Sequence, residues 1–104
     1  MKPIKRIRTH PGEILLEEFM RPLDLSSNAL AKDLHIPANR ISELIRGNRG
    51  VSGDTALRLS RYFGTTPEFW LNLQASYDLR TARARTGSRI QREITPMPRT
   101  GRQR

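Results

Sequence analysis

Between Pro37 and Gly47 the chain places Asn39, Arg40, Ser42, Glu43 and Arg46 around apolar Ile41, Leu44 and Ile45. These polar types can read the edge of a base pair. Asparagine bonds adenine in bidentate fashion, arginine bonds guanine or a phosphate, and glutamate accepts from a cytosine amine. The spacing sets the apolar residues on one helical face and the polar ones on the other. Pro37, Ala38, Asn39 and Arg40 then form the leading end of that helix, and Ser42, Glu43 and Arg46 continue its exposed face. Two flanking segments supply further polar groups. Ser27 and Asn28 open the preceding helix, where backbone N–H groups and short side chains suit a phosphate. Asn48 and Arg49, in the loop after it, are placed to clamp a backbone or a base edge. Glu43 would repel phosphate, which suits a cytosine contact or the exclusion of wrong sequences. On any solvated helix these side chains would be ordinary, so the weight falls on the elements that position them.

Those elements are legible. Pro11 suits a first helical position, and the helix it opens runs to about Met20, with Pro22 pushing Arg21 out of helical geometry. Ser26 is a good N-cap for a second helix reaching about Leu34, with Leu25 and Leu30 spaced as a staple. The third starts at Pro37 and ends at Gly47, which suits a left-handed position. Ser52 caps a fourth helix that stops at Gly64, and Thr66-Pro67-Glu68 opens a fifth reaching about Arg83. No stretch has the alternation of a strand. Only Leu34-His35-Ile36 joins the second helix to the third, so the two must cross steeply, with small Ala31 at the crossing and Ile41 beneath it. This is the pattern of a helix-turn-helix, whose second helix enters the major groove.

The charge points the same way but sits elsewhere. The 104 residues carry a net charge of +9, which favours a polyanionic partner over mere solubility. Residues 1–10 hold four basic side chains and no acid, and residues 80–104 hold eight arginines against Glu93. The middle has seven basic residues against nine acids, so the folded part is slightly acidic and the flanks can add only sequence-independent phosphate affinity. There is no cysteine, and no apolar run is long enough to cross a bilayer, so the chain is expected in the cytoplasm without membrane attachment. His10 and His35, the two histidines, read as a cap and a turn residue, beside neither a nucleophile nor a carboxylate cluster. No catalytic residue, metal site or cofactor is expected.

Several blocks together resemble a known family. His10-Pro11-Gly12-Glu13-Ile14-Leu15, Ser26-Ser27-Asn28-Ala29-Leu30-Ala31, Arg40-Ile41-Ser42-Glu43-Leu44 and Asp54-Thr55-Ala56-Leu57-Arg58-Leu59 lead to Thr66-Pro67-Glu68-Phe69-Trp70-Leu71-Asn72-Leu73-Gln74-Ala75. Over roughly residues 9–94 the chain resembles the HigA (VapI-type) antitoxins of toxin–antitoxin modules, within the Xre/Cro-like helix-turn-helix class. The resemblance implies an all-α, five-helix, lambda-repressor-like domain with flexible basic flanks. It also implies a homodimer on a palindromic operator in its own promoter, and a cognate HigB-type toxin, a small ribonuclease, neutralised in a complex. Two positions depart from the family. His35 stands where glycine is frequent in the turn, and Ser27 stands where glutamine is frequent at the start of the second helix.

The expected organisation is a basic flank over 1–9, the helix-turn-helix domain with a dimerisation helix over 10–84, and a basic, partly disordered extension over 85–104. Trp70, Leu71, Gln74 and Tyr77 on the fifth helix are the expected dimer residues, since tryptophan and tyrosine anchor interfaces, while Phe69 is expected to close the core. Glu13, Glu17 and Glu18 on the first helix offer an acidic face to a basic toxin. The alternatives are a free-standing Xre-type regulator without a toxin, and a toxin-binding protein whose DNA contacts are vestigial.

Overall fold

The computed structural model describes residues 9–98. Among them the chain is all-helical, with five helical elements and no strand. The expected basic flank over 1–9 lies, but for Thr9, outside the described residues, as do residues 99–104 of the extension.

Helix α1 (Pro11–Ile14) begins as its sequence requires, with proline in the first turn and His10 Nδ1 accepting the Gly12 N–H at 2.9 Å. It passes without a break into a π-helical turn over Leu15–Met20, where the Arg21 N–H reaches back five residues to the Leu16 carbonyl at 2.9 Å. Arg21 was expected to leave helical geometry ahead of Pro22, but it keeps helical dihedrals (φ −61, ψ −45). The pre-proline restriction is a preference, and the wider π turn supplies the Arg21 N–H with an acceptor, although the helix ends at Met20 as expected. The chain then reverses through Asp24 at φ +53, with the Leu23 and Leu25 N–H groups both returning to the Met20 carbonyl.

Helices α2 (Ser27–Leu34) and α3 (Ala38–Ile45) follow, joined by three residues. Ser26 Oγ caps α2 by accepting the Ala29 N–H at 3.0 Å. His35 takes the left-handed conformation (φ 61, ψ 45), its N–H bonded to the Lys32 carbonyl and that of Ile36 to Ala31. Histidine tolerates positive φ better than most residues, which is how the turn forms without glycine. Helix α3 starts after Pro37, which has no side chain to cap it, and Gly47 (φ 80) reverses the chain at its far end. Ser52 caps α4 (Gly53–Phe63) and Thr66 caps α5 (Pro67–Glu93), each through its side-chain oxygen.

The core lies where α2, α3, α4 and the start of α5 meet. Leu15, Leu30, Ala31, Ile41, Leu44, Leu59 and Trp70 are its buried centre, and α2 packs most extensively on α3. Phe19 stacks at its edge against Phe63, Phe69 and Trp70, with ring centroids 4.9–6.1 Å apart. Phe69, expected to close the core, instead stands half-exposed at the rim of this cluster, its ring edge on Trp70.

Helix α5 runs ten residues beyond the expected end at Arg83 and passes unbroken through the domain boundary read at 84–85. Ala82, Arg83, Ala84, Arg85, Gln91 and Arg92 are good helix formers, and no proline intervenes before Pro96. Its far half projects from the bundle, leaving Leu79 and Ile90 exposed, and residues 94–98 have no regular secondary structure.

Two contacts fix α1 to the rest. Gly12 lies directly on the last turn of α3, where a Cβ would collide with the Leu44 carbonyl. Gly12→Ala must therefore push the helices apart, at about 1–3 kcal/mol or more. Circular dichroism on heating should show a fall in Tm of about 4–8 °C for each kcal/mol lost. The His10 ring meets Tyr77 of α5 edge-on at 4.8 Å. Burial lowers the His10 pKa from its usual 6.5, against the opposing charges of Asp78 and Glu13. The neutral ring is thus the one the fold favours. Its contribution is complete above 6.5 and is lost as pH falls below that value through the lower native one. Tm should drop on acidification more steeply in the wild type than in His10→Asn, which keeps a cap acceptor but does not titrate. Parallel pH profiles would contradict this.

Candidate nucleic-acid interface

The burial of Ile41 and Leu44 fixes which way α3 faces, because residues three apart on a helix share one side. Asn39 and Arg46 consequently stand exposed, and neither side chain has a hydrogen bond or ion pair among the described residues. Asn48, in the loop after α3, is likewise exposed and keeps its side chain free, while its backbone N–H bonds the Glu43 carbonyl. Ala38 is half-buried and Pro37 exposed at the leading end. With no side-chain cap there, the first N–H groups of α3 are left open to an outside acceptor. Ser27 and Asn28 open α2, with Asn28 exposed.

Other expected readers are committed within the chain. Ser42 Oγ donates back to the Ala38 carbonyl at 3.2 Å. Arg49 Nη2 lies 3.5 Å from Glu43 Oε1, so the acid that would repel phosphate is partly neutralised by its neighbour in the loop. Arg40 Nη1 donates to Asp54 Oδ2 at 2.8 Å and makes a longer contact of 3.4 Å with Thr55 Oγ1. Arg58 Nε donates to the same Oδ2 at 2.8 Å, and its Nη1 donates to the Leu34 carbonyl at 2.8 Å. Hydrogen bonds from Arg58 and then Arg40 hold the Asp54 carboxyl below the usual carboxylate range. Sequence reasoning missed Asp54 and Arg58; their four-residue spacing on one helix was the signal available.

The expected dimer residues divide. Trp70 cannot face a partner. Its ring is completely buried (0% exposed) and its Nε1 donates to Thr65 Oγ1 at 2.8 Å. Its ring sits against Phe19 and Phe69, with centroids 5.1 and 4.9 Å away. Gln74 is also engaged, accepting the Val51 N–H at 2.6 Å and donating to Asp78 at 2.9 Å, which ties α5 to the loop after α3. Tyr77 is half-buried against His10, and Leu71 is the exposed member of the set. Glu13, Glu17 and Glu18 are all exposed, with Glu17 3.5 Å from Arg21.

Two short helices joined by a left-handed turn, with a polar face outward and an apolar face held by three other helices, define a helix-turn-helix protein. A helix-turn-helix family model matches residues 16–70. Virulence-associated protein I of Dichelobacter nodosus is 56% identical over 73 residues, which are 70% of this chain and 68% of that one. Among solved structures, an addiction module antidote protein of the HigA family from Coxiella burnetii has 51% identity and a TM-score of 0.82, over 86% of this chain and 98% of that one. The Pseudomonas aeruginosa antitoxin HigA, solved with the higBA promoter, has 46% identity and a TM-score of 0.85, over 88% and 99%. The chain belongs to the Xre-type helix-turn-helix family, in its HigA and VapI-type branch.

Among the described residues no helix is long and apolar enough to cross a membrane.

Proposed function

We propose that this protein is an antitoxin that binds an operator in its own promoter as a dimer, represses its operon, and neutralises a HigB-type toxin by direct contact. The observation that carries the reading is the free polar face of α3. Asn39, Arg46 and, in the following loop, Asn48 stand exposed without side-chain partners among the described residues, while Ile41 and Leu44 anchor the helix from behind. Such an arrangement presents base-reading groups on a backbone already fixed, so only their side chains are left to order on binding. The open N–H groups at the starts of α2 and α3 supply phosphate contacts that set the register. The similarity to an antitoxin solved on promoter DNA supports the same use of the face here.

A single reading helix binds weakly, and a two-fold dimer places two of them one helical turn of DNA apart, about 34 Å. Helix α5 supplies the surface. Leu71, Leu79 and Ile90 are exposed apolar side chains along it, and they take over the role that Trp70, sealed in the core, leaves vacant. The exposed acids Glu13, Glu17 and Glu18 suit a basic toxin, since a protein that binds RNA carries positive charge. The basic N-terminal residues and the arginines beyond Arg80 add phosphate affinity without choosing the sequence.

Fluorescence anisotropy with a duplex from the chain's own promoter tests the reading face. Asn39→Ala and Arg46→Ala should each cost about 1–3 kcal/mol of specific binding and relax base preference at the position contacted. Unaltered operator affinity in both would place the reading face elsewhere. Co-expression with the neighbouring reading frame, followed by capture and growth rescue, tests the antitoxin role. A neighbour that is neither toxic nor captured would favour a free-standing regulator.

A further inference from the structure

Arg40 occupies the leading turn of α3, among the groups that face the duplex in the reading above, yet its guanidinium is already held. The carboxylate that holds it serves two arginines through one oxygen, Asp54 Oδ2, at 2.8 Å from each. The two arginines are not equivalent. Arg58 lies on the same helix as Asp54 and has a second strong acceptor, the Leu34 carbonyl at 2.8 Å. Arg40 comes from another helix and has, besides Asp54, only the 3.4 Å contact with Thr55 among the described residues. When Arg40 leaves, Arg58 keeps the carboxylate in place. The Asp54 side chain is 55% exposed, so its attraction for Arg40 acts through water and is weak enough to be exchanged. Asp54 is therefore a fixed seat, and Arg40 its removable occupant. The Glu43–Arg49 pair is looser, at 3.5 Å, and among the described residues its acid has no second cation to hold it.

The geometry points to Asp54 as a specificity-determining residue that stands in for a DNA phosphate, holding Arg40 off the duplex until operator contacts bring a phosphate or guanine edge within its reach. This rests on the DNA-binding reading. A carboxylate and a phosphate offer a guanidinium the same charge-assisted hydrogen bonds, so one can replace the other. Binding to unrelated sequence comes from phosphates neutralised by cations. Withholding one arginine per protomer weakens that binding. On the operator, Asn39 and Arg46 fix the register, and Arg40 is delivered to a defined acceptor instead of to any passing phosphate. The acid thus lowers affinity for the wrong sites more than for the right one, a use of repulsion to sharpen choice.

The full chain, with Asp54→Asn, Arg40→Gln and the double variant, is titrated onto a promoter duplex and a scrambled duplex of equal length. The salt range runs from about 0.05 to 0.3 M. Asp54→Asn should bind the scrambled duplex about 3- to 10-fold more tightly, with a log–log salt slope steeper by about 0.9 per protomer. The ratio of promoter to scrambled affinity should fall. In the Arg40→Gln background the same substitution should have little effect, because Arg58, the other arginine on Asp54, stays bonded to the Leu34 carbonyl. Should Asp54→Asn fail to fold by circular dichroism, Asp54→Ser serves in its place. An equal effect with and without Arg40 would reduce Asp54 to a general negative charge. An equal weakening on both duplexes would make it a structural strut. Either result overturns the proposal. A wild-type chain with no preference for its promoter would count against the functional reading, while the Arg40 dependence on the scrambled duplex would still decide the role of Asp54.

Discussion

The three residues between α2 and α3 constrain everything else. His35 in the left-handed region turns the chain back at once, so the end of α2 and the start of α3 lie against each other. Ala31, buried at that junction, allows the approach, and Ile41 fills the space beneath it. Once Ile41 and Leu44 are committed inward, helical geometry sends Asn39 and Arg46 outward. The turn also leaves the Leu34 carbonyl at a helix end without an intrahelical partner, and Arg58 takes it. From there the chain of bonds runs through Asp54 to Arg40, so the same turn that aims the reading face also anchors the acid beside it.

The remaining helices hold that pair rigid. Helix α1 presses its glycine backbone onto the last turn of α3. Helix α5 seals the core with Trp70 and reaches the loop after α3 through Gln74 and the Val51 N–H. A small domain has few apolar side chains with which to fix a functional helix, and here close backbone approach and single part-buried hydrogen bonds supplement them. The charge follows a separate logic. The middle of the chain is slightly acidic and the positive excess sits on the flanks, so in the proposed reading geometry and side-chain type choose the sequence while net charge adds strength.

What could be read from the sequence was what depends on near neighbours. The caps at His10, Ser26, Ser52 and Thr66 and the left-handed residues His35 and Gly47 are local requirements, and each stands where its residue type called for it. The helix-turn-helix followed because its two helices are joined too tightly for another arrangement. Two of the misplaced assignments involve distance along the chain. Arg40 and Asp54 are fourteen residues apart, so a side chain that looked free was already paired. Trp70 suited an interface by its type, and only the assembled core shows that it has no surface to give. The length of α5 past Arg83 was hidden by Thr86, Gly87 and Ser88, weak helix formers that a strong flanking pattern carries through.

In the proposed reading α3 and its flanks, not the charged ends, choose the DNA. Amide chemical-shift mapping of the full chain with its promoter duplex tests this most directly. Shifts specific to the promoter duplex, absent with a scrambled one, should concentrate at Ser27, Asn28, residues 38–43, Arg46, Asn48 and Arg49. Residues 1–8 and 99–104 should respond alike to both duplexes. Promoter-specific shifts confined to those flanks, with Asn39 and Arg46 unmoved, would contradict it.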